Sequence, residues 1–384
     1  MPGYELIGKE EKKQLNSIFS NGGILFRQGF ESLRKKNSFK VLEFEKKFSK
    51  YMGSKYALAV TSGTAALRVA LASLNLKKGD EVITQSFTFV ATVEAIIESR
   101  LTPVCCDVDE TLNMDPDQLK KLITKKTKAV IVVHMLGVSP EMDKIKKICK
   151  KFNISIIEDT AWGCGGYFGK SRLGTLGRIG TYSFDFAKTI TTGEGGMIVF
   201  KKKQDFDRAK AWHDHGHENN PKVPRWEDTR SSSGFNYRMT ELQGAVGLAQ
   251  LKKLEKVLKF QRLNKDKIEK KIKKLNLKFR KIPKKNIDTC DALIFFVKDK
   301  SIAKRCRKSL NMNGIQTKIL PEASTWHFSK YWSHMSELKK KYKNLKRSFI
   351  KSENYINRAI SIPIFVKMNK EIPNIIYKSL KKII

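Results

Sequence analysis

Short runs of β-branched and other apolar residues alternate with stretches of helical period from Tyr56 onward. The runs have the length of buried strands, and the stretches between them have the apolar pattern of amphipathic helices. This alternation predicts a doubly wound α/β fold with a largely parallel sheet. The predicted strands make one seven-stranded sheet and cover residues 57–60, 81–84, 102–107, 129–133, 155–158, 180–183 and 197–200.

Helices are predicted between these strands, each bounded by Gly, Pro or Asp, at residues 63–74, 90–99, 116–123 and 141–152. The pattern changes at residues 225–251, where a charged loop leads into a long lysine-rich helix. Strands and helices then resume. We predict an N-terminal segment (1–40) that packs on the large domain or on a partner subunit, a large domain (41–250) and a smaller C-terminal α/β domain (251–384).

Length and composition suit a globular protein, since 384 residues that are 40% hydrophobic can bury a large core. The longest apolar runs have strand length, well short of the ~20 residues that span a bilayer. The first residues lack the apolar segment of a secretory signal. We therefore expect a cytoplasmic protein without a membrane partner. Six scattered cysteines without CxxC spacing predict neither a zinc site nor a disulfide framework.

The formal net charge of +38 raises nucleic-acid binding as a rival interpretation. The excess lysines are dispersed over helical stretches and no nucleic-acid module is recognisable, so we do not expect nucleic acid as a partner. Three histidines alternate at positions 213, 215 and 217 in WHDHGHE. A metal cluster would be one interpretation, but without a partnering cysteine pair a polar substrate loop or a structural role is favoured, and no metal is expected.

Lys188 is the first candidate for chemistry. It lies in SFDFAKTITTGEGG, after an apolar run and before a glycine-rich turn. An amine held away from water loses its proton more easily, and a neutral amine can form a Schiff base with an aldehyde. In a chain with 76 Lys and Arg residues, solvated surface charge is the alternative for any one of them. Lys188 therefore needs support from other positions.

Three features elsewhere would support a Schiff base with pyridoxal phosphate. Thr61 to Thr64 (TSGT) follow a strand and open a helix, where backbone N–H groups could bind a phosphate, although the same residues suit an ordinary helix cap. Asp159 ends an apolar strand and could keep a pyridine nitrogen protonated, or simply form a turn. Phe89 could stack on the ring or belong to the core. No single feature decides between these interpretations.

The order of these features along the chain is more specific. SGT, an aromatic TF, ED, a serine with a lysine five residues on, and GEGG follow one another in an order that resembles the DegT/StrS family of sugar aminotransferases, a branch of the fold-type-I pyridoxal phosphate enzymes. The resemblance covers most of the chain, and its blocks include GDEVITQSFTFVAT, TKAVIVVHMLG, EDTAWGCGG, TYSFDFAKTITTGEGGMIVF, GFNYRMTELQGAVGLAQLKKL and SIPIF.

The resemblance implies roles for single residues. Lys188 matches the lysine that binds the cofactor covalently, and Asp159 matches the acid that pairs with the pyridine nitrogen. Gly63, Thr64 and Ser183 match phosphate-binding positions, and Phe89 matches the aromatic residue over the ring. Asn236 matches the asparagine that reaches the cofactor phosphate of the neighbouring subunit. A homodimer with shared active sites is thereby implied.

Two positions bear on the reaction. Some relatives carry histidine in place of the lysine and act as dehydratases, so Lys188 favours amino transfer. Where the family usually has Gln or His near the ring hydroxyl, this chain has Trp162. An indole N–H can donate to that oxygen but cannot accept a proton from it. Trp162 could therefore bind the cofactor, stack, or form a wall of the substrate site.

The resemblance implies that glutamate donates an amino group through pyridoxamine phosphate to a keto or aldehyde sugar, for surface polysaccharide or lipopolysaccharide. Most relatives use nucleotide-linked 4-keto-6-deoxy (perosamine-type) or 3-keto hexoses. However, MPGYELIG, LFRQGF, DHGHE and ILPEASTWHFSKYWSHM are similar to a branch that forms 8-amino-3,8-dideoxy-manno-octulosonate. A paralogue that binds the cofactor and regulates without turnover is a further alternative.

Four residues in or near those segments are candidates to hold the sugar. They are Arg27, His215, His217 and Lys318. Arginine suits a carboxylate because its fork binds both oxygens.

Overall fold

The computed structural model describes residues 2–220, 222–322 and 324–384. Its strands are β1 (Tyr56–Val60), β2 (Glu81–Gln85), β3 (Thr102–Cys106), β4 (Thr127–Val133), β5 (Ser155–Asp159), β6 (Tyr167–Phe168), β7 (Ser171–Arg172), β8 (Ile179–Ser183), β9 (Gly196–Phe200), β10 (Lys278–Phe279), β11 (Asn286–Ile287), β12 (Ala292–Phe296) and β13 (Ala359–Pro363). Its α-helices are α1 (Lys9–Ser20), α2 (Lys40–Met52), α3 (Gly63–Ser73), α4 (Ala91–Glu98), α5 (Pro116–Leu122), α6 (Met142–Lys151), α7 (Lys203–Trp212), α8 (Glu241–Ile272), α9 (Lys300–Met312), α10 (Ser324–His327), α11 (Ser336–Lys341), α12 (Ile350–Arg358) and α13 (Ile372–Lys381).

The main sheet has seven strands in the order β1-β9-β8-β5-β4-β2-β3. Strands β3, β2, β4, β5 and β8 pair in parallel, whereas β9 is antiparallel to both β8 and β1. All seven predicted strands are confirmed, and helices α3 to α6 occupy the four predicted helical ranges. The predicted α/β fold with a mostly parallel sheet is therefore correct.

Both faces of this sheet are buried, which explains the nearly continuous apolar runs of its strands. Successive side chains of a strand point to opposite faces. In β1, Leu58 and Val60 pack in one cluster with α3, while Ala57 and Ala59 pack in another with α2 and α8. Helices α5 and α6 cover the far end of the second face. The sheet is thus the middle layer of three.

The C-terminal part has its own antiparallel sheet, in the order β10-β12-β13. Its core includes residues from α9, α13 and the C-terminal end of α8. Because α8 runs from Glu241 to Ile272, it crosses the predicted boundary at residue 250. The division into domains stays a prediction.

The N-terminal helix α1 lies along α8. The buried carboxylate of Glu11 accepts hydrogen bonds from Lys253 at 2.8 Å and from Gln250 at 2.9 Å. These contacts attach α1 to α8. Among the described residues, no helix combines the length and apolar character that crossing a bilayer requires.

Candidate active site

A cavity of about 860 Å³ opens where the main sheet meets the C-terminal part. The ends of β5 and β8, the start of α3 and the turn after β8 form one side. Residues 316–319, Pro363 and Phe365 form the other. The carboxyl ends of parallel strands are where ligands of such sheets bind, because the loops after the strands converge there.

Lys188 projects into this cavity from the turn after β8. The turn is held by the backbone N–H of Lys188, which donates to the carbonyl of Asp185 at 3.0 Å, and by Ala187, whose N–H donates to the Asp185 carboxylate at 2.9 Å. Burial lowers the pKa of Lys188 to about 8. Near neutral pH the neutral, nucleophilic fraction of this amine is therefore much larger than that of an ordinary lysine.

Asp159 ends β5 and also lines the cavity. One carboxylate oxygen accepts from the hydroxyl of Thr92 at 2.9 Å, and the other accepts from the N–H of Ala161 at 3.2 Å. Burial raises the pKa of Asp159, and these hydrogen bonds and the nearby charge of Lys188 only partly oppose that effect. A cation beside this carboxylate would restore its ionisation.

The start of α3 forms a polar cradle beside Lys188. Ser62 caps the helix by accepting from the N–H of Ala65 at 3.0 Å. A side chain at Gly63 would meet Cβ of Ser183 at 2.7 Å, so only glycine lets the helix start approach β8 this closely. Thr64 is exposed and lines the cavity. Three hydroxyl residues (Ser62, Thr64 and Ser183) and a helix N-terminus thus converge, an arrangement that suits an anion.

Two aromatic side chains form walls of the cavity. Phe89 is 41% exposed, and its ring stacks on that of Trp326 with 6.3 Å between centroids. Trp162 is buried, and the amine of Lys188 lies 3.3 Å from the centroid of its ring. The indole therefore contacts the candidate nucleophile. The sequence did not predict this contact.

The structure brings most of the predicted site residues together. Lys188, Asp159, Gly63, Thr64, Phe89, Trp162, Ser183 and Lys318 all line the one cavity. Asn236 lies outside it, exposed on the loop before α8. His215 is exposed on the same surface, and the ring of His217 lies 3.4 Å from the carboxylate of Asp228. Within the described residues of this single chain, these three do not line the cavity.

Arg27 also lies away from the cavity. Its guanidinium is 3% exposed, pairs with Glu45 at 2.8 Å and donates to the carbonyl of Ala59 at 3.2 Å. The Glu45 carboxylate in turn accepts from the N–H of Ala59 at 2.7 Å. Arg27 thus fastens the N-terminal segment to β1 and α2, and its position does not support the predicted sugar contact.

A buried hydrogen-bonded pair of side chains, His134 and Glu158, lies behind Asp159. The carboxylate of Glu158 accepts from the ring of His134 at 2.8 Å and from the N–H groups of Gly174 and Gly177 at 2.8 and 2.5 Å. Burial opposes ionisation of Glu158, but these hydrogen bonds outweigh it and hold its pKa below the usual value. The backbone of His134 also donates to the carbonyl of Asp159 at 3.0 Å. The pair supports the end of β5.

We expect Glu158→Gln to reduce the free energy of unfolding by about 3 kcal/mol, because it leaves buried donors without a charged acceptor. The parent loses the contribution of Glu158 as pH falls through its lowered pKa, so the difference between the two chains should disappear in acid. Urea unfolding at fixed protein concentration measures both effects. Glu43→Gln, at an exposed pair with Lys47, is the control. Equal midpoints for Glu158→Gln and parent at neutral pH would contradict this account.

Several cavity residues were not predicted. Thr92 anchors Asp159, and its position three residues after Phe89 was the available signal. Glu194, His327 and Asp291 contribute charge or polarity in or beside the cavity; His327 lies within the segment ILPEASTWHFSKYWSHM but was not singled out, and no motif marks Asp291. They come from separate segments that only the tertiary fold brings together.

Comparison with known proteins agrees with this geometry. The model of the DegT/DnrJ/EryC1/StrS aminotransferase family matches residues 28–381. The chain belongs to this family. It is 40% identical over 219 residues to the GDP-perosamine synthase of Caulobacter vibrioides (57% of this chain, 58% of that protein). It is 33% identical over 264 residues to that of Vibrio cholerae (68% of each).

Solved structures of the family share the fold over nearly the whole chain. Helicobacter pylori PseC, an aminotransferase involved in the biosynthesis of pseudoaminic acid, superimposes with a TM-score of 0.85 at 25% identity, covering 98% of this chain and 96% of that one. By contrast, the chain spans 58% of the length of two curated relatives, the Caulobacter synthase and the protein MJ1066 of Methanocaldococcus jannaschii.

Proposed function

We propose that this family member is a pyridoxal phosphate-dependent aminotransferase that moves an amino group from glutamate to a keto or aldehyde sugar. The observation that carries the proposal is the joint presence, in one cavity, of an amine with a lowered pKa (Lys188) and a buried carboxylate (Asp159). Family membership supports the reaction class.

The cavity residues fit this cofactor. The cradle of Ser62, Gly63, Thr64 and Ser183 offers hydroxyls and helix N–H groups to a phosphate, and the bare Gly63 leaves room for it. Lys188 would bind the aldehyde, and Asp159 would pair with the ring nitrogen. Phe89 would cover the ring. One solved relative, a dehydratase 25% identical to this chain, contains hydrated pyridoxal phosphate.

When bound, pyridoxal phosphate supplies an aldehyde that takes up an amino group and a ring that accepts electrons. The chain's own residues would transfer the protons and hold the cofactor ring in its protonated form. Nζ of Lys188 would move a proton from the donor's α-carbon to the cofactor and, in the second half-reaction, from the cofactor to the carbonyl carbon of the acceptor. The Asp159 carboxylate would keep the ring nitrogen protonated. Lys188 would therefore both anchor the cofactor and transfer protons.

We further propose an acceptor that is either an eight-carbon 3-deoxy-octulosonate aminated at C8 or a nucleotide-linked 4-keto-6-deoxy sugar. The GDP-perosamine synthases and the spore coat polysaccharide biosynthesis protein SpsC of Bacillus subtilis, 35% identical over 263 residues, support amino-sugar formation. Similarity of the segments around Arg27, His215 and Lys318 to the octulosonate branch favours the first sugar.

A spectral titration tests the proposed function. We expect purified protein with pyridoxal phosphate to show a visible absorbance band that glutamate removes and the correct keto sugar restores. Restoration by 8-oxo-octulosonate alone, or by the GDP-linked 4-keto sugar alone, identifies the acceptor. A band that glutamate leaves unchanged would support the regulatory alternative and contradict the proposal.

We also propose a homodimer whose sites are shared, with Asn236 reaching the partner's cofactor phosphate. Asn236 is exposed outside its own cavity, and the adjacent Phe235 is 54% exposed. Aromatic residues are enriched at protein interfaces relative to the rest of the surface. The surface around Asn236 is therefore available to a second copy.

Mixed dimers test the sharing of sites. Lys188→Ala lacks the amine, and Asn236→Asp places a carboxylate against the partner's phosphate, so each variant alone should be nearly inactive. Equal mixing after unfolding and refolding should restore about a quarter of the parental activity, because half the dimers are mixed and each contains one intact site. If mixing restores nothing while either variant with parent retains activity, the sites are not shared in this way.

A further inference from the structure

Two lysine amines lie over one indole ring in the cavity. Nζ of Lys188 is 3.3 Å from the ring centroid of Trp162, and Nζ of Lys318 is 4.5 Å from it. Both distances allow a cation–π interaction. Trp162 follows β5 of the main sheet, whereas Lys318 belongs to the C-terminal part. The ring therefore links the candidate nucleophile to the second half of the chain.

Lys318 is held firmly in place. Its amine donates to both oxygens of Asp291 at 2.6 and 2.7 Å, and the two side chains are 10% and 1% exposed. Its backbone N–H donates to the carbonyl of Ser361 in β13 at 2.8 Å. Asp291 directly precedes β12, and its carbonyl accepts from the N–H of Ile364 at 3.1 Å. The pair is thus built into the edge of the C-terminal sheet.

The charge of an ammonium group that donates to both oxygens of a buried carboxylate is largely offset, so it attracts a substrate anion only weakly. The charge of Lys318 also acts on the amine of Lys188, which lies over the same indole ring. We propose that Lys318 and Asp291, beside the indole of Trp162, are a balanced positioning pair: each member offsets the other's effect on the pH at which the unbound amine of Lys188 loses its proton. The inference rests on the proposed function only in taking Lys188 as the reactive amine.

Opposing charges surround Lys188. Burial favours the neutral amine most, and the cation of Lys318 acts in the same direction. The anions act against it and favour the ammonium form; they are Asp185, Asp291, Asp159 and, at the cavity rim, Glu194. Lys318 and Asp291 act on Lys188 in opposite directions, so removal of either one alone should shift the protonation of Lys188 in a predictable direction.

Competitive acetylation of the full chain tests this inference. The chain is prepared without cofactor and also with pyridoxamine phosphate, which has no aldehyde and leaves the lysine amine free. Acetic anhydride labels neutral amines only, and mass spectrometry of the peptide that contains Lys188 gives its labelling midpoint against pH. The variants are Lys318→Met, Asp291→Asn, the double variant, and Lys318→Arg, which keeps the charge.

We expect Lys318→Met to raise the midpoint by about one pH unit, because it removes a cation and leaves the Asp291 anion unopposed. Asp291→Asn should lower the midpoint by up to about one unit, because it leaves the Lys318 cation unopposed. The double variant and Lys318→Arg should lie close to the parent. Lys203→Met, which breaks the exposed pair with Asp207, is the matched control and should cause no shift.

Equal midpoints in all variants, or shifts of the two single variants in the same direction, would overturn the inference. The double variant removes both charges together, so it keeps the comparison valid if a lone buried charge prevents folding. Labelling requires no turnover. The experiment therefore distinguishes failure of this inference from failure of the proposed aminotransferase activity.

Discussion

Replacing Lys188 with alanine is expected to abolish both amino transfer and covalent retention of the cofactor. The loss of activity should be at least about 10³-fold because, in the proposed function, the same amine anchors the cofactor and transfers protons. Reduction with borohydride followed by intact-mass measurement should show one added cofactor on the parent and none on Lys188→Ala. Steady-state assays with glutamate give the activity.

Lys201→Ala is the matched control for this prediction. Burial also lowers the pKa of Lys201, and its amine donates to the carbonyl of Leu176 at 2.9 Å, but it lies at the opposite end of β9 and outside the cavity. This variant should retain the added mass and most of the activity. If Lys188→Ala still gains the cofactor mass, another lysine is the anchor, and the proposed roles of Lys188 fail together.

The layered fold could be predicted because its strands are buried on both sides. Runs such as AVIVV in β4 have no polar alternation, which is typical of the parallel strands of such a sheet. The helices between them begin at recognisable signals, for example Pro116 after the capping Asp115. Local patterns of this kind determine where elements lie, and they were sufficient for the seven strands and helices α3 to α6.

The candidate site could be predicted in part for a related reason. Asp159 and Ser183 end neighbouring parallel strands, so their positions along the chain already place them at one edge of the sheet. Lys188 lies five residues after Ser183 and therefore near the same edge of the sheet. The resemblance to the family added the roles of these residues, which stay predictions, and the structure places all three around one cavity.

The rest of the site depends on packing between distant segments. Asp291 and Lys318 reach the cavity only because the C-terminal sheet docks there, and no local pattern encodes that docking. Arg27 illustrates the reverse case. Its charge and its position in LFRQGF suggested a substrate contact, but the carboxylate that binds it is Glu45, eighteen positions along the chain and buried with it. A candidate ligand cannot be told from a structural ion pair before the partner is known.

Asp159→Asn is expected to inactivate the enzyme without weakening the fold. Without a carboxylate to hold the ring nitrogen protonated, activity should fall by about 10² to 10³-fold, as when one preorganised electrostatic group is removed. Burial raises the pKa of Asp159, so ionisation of this carboxyl at neutral pH lowers the free energy of unfolding. The protonated carboxyl contributes fully to stability below its ordinary pKa, and this contribution is lost as pH rises through the raised pKa. In the absence of cofactor the variant should therefore melt at or above the temperature of the parent at neutral pH.

Asp205→Asn provides the opposite result for comparison. Asp205 is also fully buried, but Arg178 and Arg208 outweigh burial and hold its pKa below the usual value. Its loss should lower the melting temperature and leave the activity of the folded fraction nearly unchanged. Thermal melts at several pH values, with and without cofactor, separate the two variants. A large drop in the melting temperature of cofactor-free Asp159→Asn would show that this carboxylate stabilises the fold, and the assignment of Asp159 to the ring nitrogen would lose its physical basis.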